Sequence, residues 1–216
     1  MRIAVFGGTG ATGALLISQA LDDGYSVTAY ARHPKKLGIV DDRMTVVEGE
    51  LSDSAAIDRA VEGSDAVISL LGQGRPVKGT PVALGTRNIL SAMGKFGVRR
   101  LVAVATASAT DPRDIPRLRT RFFIGISKLF LRPAYDDVVA TAQAIRESDR
   151  AWTIVRPPFL NHGPKTGRVN VGYLGDGVTG TFLSRANAAD FMLKQLSSDK
   201  YVGKAPIVTD AKPLRA

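Results

Sequence analysis

The chain has 216 residues, 44% hydrophobic and 23% charged, with no cysteine and a formal net charge of +9. That length suits one sizeable core better than two, and the composition excludes a wholly disordered chain. The missing cysteines exclude disulfides, thiolate metal ligands and a cysteine nucleophile, and they fit a reducing, cytoplasmic setting.

Ile3–Phe6 reads as a first strand, so close to Met1 that no secretory leader is expected ahead of it. No run approaches ~18 uninterrupted apolar residues, so no membrane span is expected. Further strands are predicted at Ser26–Ala31, Met44–Glu48, Ala66–Leu70, Arg100–Ala105 and Trp152–Val155. Helical periods fall between them, near Ala11–Asp23, Ser54–Val61, Pro81–Phe96 and Tyr135–Ser148. Thr80 and Pro81 supply an N-cap and a first helical residue for the third helix. Asp136 and Asp137 read as acids complementing the dipole of the fourth helix. The alternation predicts an α/β fold, a Rossmann-type doubly wound, mostly parallel sheet.

After Val155 the pattern loosens: Arg156-Pro157-Pro158 breaks structure, and Lys165 to Gly180 is glycine-rich. A helix near Asn187–Leu196 and a strand at Ile207–Thr209 follow. Residues 1–216 are expected to form one domain, with a small lobe from about 157 to 216 contributing to a substrate pocket.

The first strand runs directly into Gly7-Gly8-Thr9-Gly10-Ala11-Thr12-Gly13, and helix-forming sequence follows without a gap. Glycines at these spacings permit a tight turn, close approach of backbone to a pyrophosphate, and close helix–strand packing. The helix N-terminus then offers N–H groups and its dipole to the anion. The second strand ends in Tyr30-Ala31-Arg32-His33-Pro34-Lys35-Lys36. An acid there reads a ribose 2′-hydroxyl and an arginine reads a 2′-phosphate, so Arg32, with Lys36 beside it, favours NADPH over NADH.

On these residues the chain resembles the atypical short-chain dehydrogenase/reductases that bind NAD(P)H, and among them the biliverdin-IXβ reductase/NADPH-flavin reductase group. The resemblance runs nearly full length. It extends through Gly49-Glu50-Leu51-Ser52-Asp53, Asp65-Ala66-Val67-Ile68-Ser69-Leu70-Leu71-Gly72, Gly85-Thr86-Arg87-Asn88-Ile89, Asp136-Asp137, Arg146-Glu147-Ser148 and Arg156-Pro157-Pro158. It implies that Glu50 and Leu51 lie against adenine, that Leu70, Leu71 and Gly72 run beside ribose and pyrophosphate, and that Ala105, Thr106 and Pro157 flank the nicotinamide.

Two departures bear on chemistry. The tyrosine followed four residues later by lysine, which protonates an alkoxide in the standard dehydrogenases, is absent: Tyr135 is followed by Val139. Phe159 stands where the flavin-reductase group can carry a histidine, and Thr106 where it has a serine. An acceptor that takes its proton from solvent needs no such tyrosine, so the expected reaction is hydride transfer from NADPH to a planar flavin, bilin or quinone. A non-catalytic NADP(H)-binding regulator or scaffold is the alternative on the same fold.

Thr106 and Ser108 are the candidate catalytic hydroxyls near the end of the fifth strand, and His162 is a candidate acid or an ordinary loop residue. No histidine–carboxylate cluster has metal spacing, so no metal is expected. Residues 113–132 mix Arg113, Arg117, Arg119, Arg121, Lys128 and Arg132 with Phe122, Phe123, Ile124 and Phe130. That segment suits a lid over a planar anion, a peripheral membrane contact, a dimer contact or ordinary packing, and monomer and dimer both fit. With the basic residues concentrated there and around Arg32, no nucleic-acid partner is expected.

Overall fold

A computed structural model describes residues 1–72, 79–115 and 132–211. Six strands, β1 (Arg2–Phe6), β2 (Ser26–Ala31), β3 (Met44–Glu48), β4 (Ala66–Ser69), β5 (Arg100–Val104) and β6 (Ala151–Val155), form one sheet in the order 3-2-1-4-5-6. Every pairing in it is parallel. The order reverses between β1 and β4, opening a crevice at their carboxyl ends where a doubly wound sheet binds ligands.

Alternation along each strand sends side chains to two separate cores. Ile3 and Val5 of β1 join one core with Leu16, Ile17 and Ala20 of α1 (Ala11–Asp22) and with Phe191, Met192 and Leu193 of α5 (Arg185–Lys194). Ala4 and Phe6 face the other core, among Ile57 of α2 (Ser54–Val61), Ile89 and Met93 of α3 (Pro81–Lys95), and Ala142 and Ile145 of α4 (Arg132–Glu147). The sheet is therefore covered on both faces. Each fully buried Ile or Phe in these layers contributes about 1.5–3 kcal/mol of transfer free energy.

The strands β4 and β5 each end one residue before the sequence pattern predicts, releasing Leu70 and Ala105 as the first residues of the loops that line the crevice. Helix α4 begins at Arg132, three residues before Tyr135, and α5 begins at Arg185, ahead of Asn187. Both corrections have a local cause: Pro133 tolerates a first-turn position, and Ser184 caps α5 by accepting the Asn187 N–H at 3.0 Å. The loose stretch after Val155 also contains three short strands that the pattern misses, β7 (Phe159–Asn161), β8 (Val169–Gly172) and β9 (Phe182–Ser184). They form two-stranded ribbons, β7 parallel to β9 and β8 antiparallel to β10 (Ile207–Asp210). Runs so short carry no readable alternation.

A buried ion pair joins this lobe to the sheet. Arg156 is 0% exposed, and its guanidinium donates two 2.7 Å bonds to the Asp114 carboxylate and one to the Ala205 carbonyl. Asp114 also accepts the N–H groups of Asp111 and Leu174. Burial alone would raise the Asp114 carboxyl; the bonds from Arg156 and from those two amides outweigh it and hold the group below its ordinary value. The Arg-Pro-Pro break thus also anchors the segment after β5 to the C-terminal lobe. Among the described residues no helix is long and apolar enough to cross a membrane. Most of the proposed lid, residues 116–131, lies outside the described residues.

Candidate functional site

The glycine turn closes on itself in a way few side chains permit. Gly7 has φ +87°, and a Cβ there would stand 2.8 Å from the Leu70 carbonyl. A Cβ on Gly13 would lie 2.3 Å from the Gly7 oxygen, inside any allowed contact. Gly10 caps α1 without a side-chain acceptor, so the first-turn N–H groups have no capping bond from the N-cap. Free donors, a positive dipole end and an absent Cβ together form an anion cradle.

That cradle opens into a groove of about 960 Å³ along the carboxyl ends of β1, β2 and β4. Gly7, Thr9, Gly10, Arg32, Lys36, Glu50, Leu51, Leu70, Leu71 and Gly72 line it, together with Tyr30 and His33. Ala11 and Gly13 lie in the turn without lining the groove. Arg32 Nε is 4.0 Å from a Glu50 oxygen with both side chains about two-thirds exposed, at 66% and 64%. Such a contact contributes at most about 1 kcal/mol, so little holds the guanidinium back from a phosphate.

Tyr30 fixes the floor of the groove. Its hydroxyl donates to the Glu50 carbonyl at 2.7 Å, and its ring packs on Phe6 with centroids 5.0 Å apart. Burial first, and then the neighbouring Asp53 and Glu50, push its phenol up to about 12. Leu51 is held from the other side: Asn88 donates to its carbonyl at 2.8 Å, and Gly85 has no Cβ to displace its side chain. Asp53 caps α2 by accepting the Ala56 N–H at 2.9 Å. The motifs around Gly49 and Gly85, far apart in sequence, brace a single turn.

A second cavity, of about 490 Å³, continues from the first and shares Leu70, Leu71, Gly72 and Val82 with it. Thr12, Ala105, Thr106 and Pro157 line it, with Val138, Leu160 and Met192 as apolar walls. Phe159 lies at its mouth, 62% exposed, with its ring centroid 6.1 Å from that of Phe182. Ser108 does not line either cavity; its backbone N–H approaches the Thr106 hydroxyl oxygen at 3.4 Å. His162 is exposed and lines neither. Among the described residues no cluster of acids and histidines suited to a metal occurs.

One assignment is corrected. Asp137 is not a dipole-compensating acid of its own helix: it is 1% exposed, and its two oxygens accept the Val82 and Ala83 N–H groups at 3.1 and 2.8 Å. It caps α3 from α4, while Thr80, the local N-cap, makes no side-chain cap bond. The sequence signal for α3 was local, whereas the acceptor comes from a helix packed beside it. Thr141 and Arg185, which also line the second cavity, were not anticipated. The spacing of Arg185, Ala188 and Met192, one face of a helix, is the signal that would have found Arg185.

A parallel 3-2-1-4-5-6 sheet with a glycine cradle at its switch point defines a dinucleotide-binding Rossmann protein. Residues 7–199 match the NAD(P)H-binding family model, and the chain belongs to that family. A reductase of (4-alkanoyl-5-oxo-2,5-dihydrofuran-3-yl)methyl phosphate from Streptomyces griseus is 31% identical over 157 residues, covering 72% of this chain and 46% of that protein. The chain spans about half the length of that relative. Two solved structures share the fold: ChuY, an anaerobillin reductase from Escherichia coli O157:H7 (TM-score 0.78, 18% identity, 100% of both chains) and a short-chain dehydrogenase/reductase from Veillonella parvula in complex with NADP (TM-score 0.76, 18% identity, 99% of both chains).

Proposed function

We propose that this chain is an NADPH-dependent reductase that passes a hydride to a flat conjugated acceptor such as a flavin, bilin or quinone. The observation that carries the reading is the continuity of the polar groove with the apolar cavity across Leu70, Leu71 and Gly72. A dinucleotide laid along the groove from Arg32 reaches that junction with its far end. The names borne by the Streptomyces and ChuY reductases, and the NADP in the Veillonella structure, support the same reading.

In this assignment Arg32 and Lys36 hold the 2′-phosphate, Glu50 and Leu51 the adenine, and Thr9, Gly10, Ala11, Thr12 and Gly13 the pyrophosphate. Ala105 and Pro157 bracket the nicotinamide, which supplies the hydride when the cofactor is bound. The Thr106 hydroxyl orients the carboxamide or the acceptor, and Ser108 supports Thr106 through its backbone N–H. The apolar walls exclude water, and Phe159 offers an exposed ring on which a planar molecule can stack. The lobe from residue 157 onward serves as the substrate wall of a single domain. With no tyrosine–lysine pair, the acceptor draws its proton from solvent.

Loss of absorbance at 340 nm, followed with FMN, FAD, quinones and biliverdin, tests the reading. Turnover with a member of this set is expected; tight NADPH binding with no turnover on any of them would replace it with the regulatory one. Arg32→Ala tests the cofactor assignment: NADPH affinity should fall by about 1–3 kcal/mol, the scale of a hydrogen bond to a charged group, with NADH affinity unchanged. An unaltered preference removes Arg32 from the phosphate site.

A further inference from the structure

Resting on the reductase reading, we infer that the acceptor carries a carboxylate, received by Arg185, and that a polar atom of the same acceptor meets the hydroxyl of Thr141. Two observations point there independently. Arg185, the first residue of α5, lines the apolar cavity, and its guanidinium makes no hydrogen bond or ion pair with the described residues. Thr141, on α4, lines the same cavity at 8% exposure, and its hydroxyl has no hydrogen-bond partner. A buried hydroxyl left unsatisfied is costly in the empty protein, which makes it a position reserved for a ligand.

The surroundings of Arg185 are built to hold it still. Ser184, immediately before it, accepts the Asn187 N–H, donates its hydroxyl to the Pro164 carbonyl, and gives its own N–H to Asp210. Asn187 is 1% exposed and bonds Thr166, Gly167 and Asp210. The backbone that carries the guanidinium is thus pinned by two buried side chains, Ser184 and Asn187, bonded to residues 164–167 and to Asp210, while the arginine side chain itself is left unpaired. The only carboxylate among the described residues lining the cavity, Asp137, already accepts two N–H groups at the positive end of α3, so its charge is compensated where it lies. Arg185 supplies the one cationic side chain lining this cavity among the described residues. Apolar walls with one unpaired guanidinium select a molecule that is hydrophobic over most of its length and anionic at one end.

The experiment compares biliverdin with its dimethyl ester on the NADP-loaded protein, with binding read by titration calorimetry and NADPH affinity measured alongside. Wild type should prefer the free acid about tenfold or more, the scale of one charge-assisted bond. Arg185→Met should erase that preference and Arg185→Lys should restore part of it, both with native melting curves and native NADPH affinity. Thr141→Val should weaken biliverdin binding severalfold while raising the melting temperature of the ligand-free protein, a pairing that a merely structural threonine does not produce. Equal affinity of wild type for acid and ester overturns the inference, as does an Arg185→Met loss that falls on NADPH instead of biliverdin. Selective binding of the acid without any turnover would leave the carboxylate subsite standing and remove the reductase assignment.

Discussion

Arg156→Met provides a test of how the C-terminal lobe is fastened to the sheet. The substitution keeps an unbranched side chain of similar reach but deletes the guanidinium that gives two 2.7 Å bonds to Asp114 and one to Ala205. Asp114, with 4% of its side chain exposed, is left as a buried charge supported only by the amides of Asp111 and Leu174. Removing one partner of a buried pair costs about 3–5 kcal/mol. At roughly 2–4 °C per kcal/mol for a chain of this size, melting should fall by about 6–20 °C. Differential scanning calorimetry at neutral pH measures it. Pairing Arg156→Met with Asp114→Leu should recover part of the loss, because the orphan charge is removed while the amides of Asp111 and Leu174 still lose their acceptor. A single-variant loss below about 1 kcal/mol, the value of an exposed pair, would refute the view that this contact is dry.

Further outcomes follow from the same structure. Asp114 is held below its ordinary value, so its contribution is present above the unfolded carboxylate pKa of about 3.9 and is lost as pH falls through the lower folded value. The melting temperature of wild type should accordingly drop more steeply in acid than that of the Arg156→Met/Asp114→Leu double variant. Tyr30, raised to about 12, stabilises the fold below pH 10, and that contribution fades as pH climbs toward 12. The 295 nm difference titration between wild type and Tyr30→Phe should show a phenol ionising well above 10; an ordinary midpoint would place the ring in water. Gly13→Ala should abolish NADPH binding measured by fluorescence, since its Cβ meets the Gly7 oxygen at 2.3 Å and opens the cradle; retained affinity would contradict the cradle's role. Asp137→Ala should cost about 0.5–2 kcal/mol in chemical denaturation as α3 loses its cap, and Thr80→Ala under about 0.5, because only the first side chain meets the helix end.

What could be read from the chain alone was whatever is local. The β1–turn–α1 unit is legible because Gly7 and Gly13 answer to backbone geometry within a few residues, and Arg32 because the end of β2 has a set relation to that turn. The short apolar runs of β1, β2 and β4, set between helical periods, predict the doubly wound parallel sheet, and the family follows from these motifs.

Tertiary structure decided the rest, through partners distant in sequence. Asp137 reads in the sequence as an acid complementing the dipole of its own helix and instead serves Val82 and Ala83, 55 and 54 residues away. Arg156 looked like part of a break and is the most buried cation described, because Asp114 and Ala205 converge on it. Thr141 and Arg185 acquire meaning only when α4 and α5 close on one cavity. Propensity and periodicity act over a few residues and can be written into a string; a desolvated charge or an unpaired hydroxyl depends on which surfaces meet, and that is set when the chain folds.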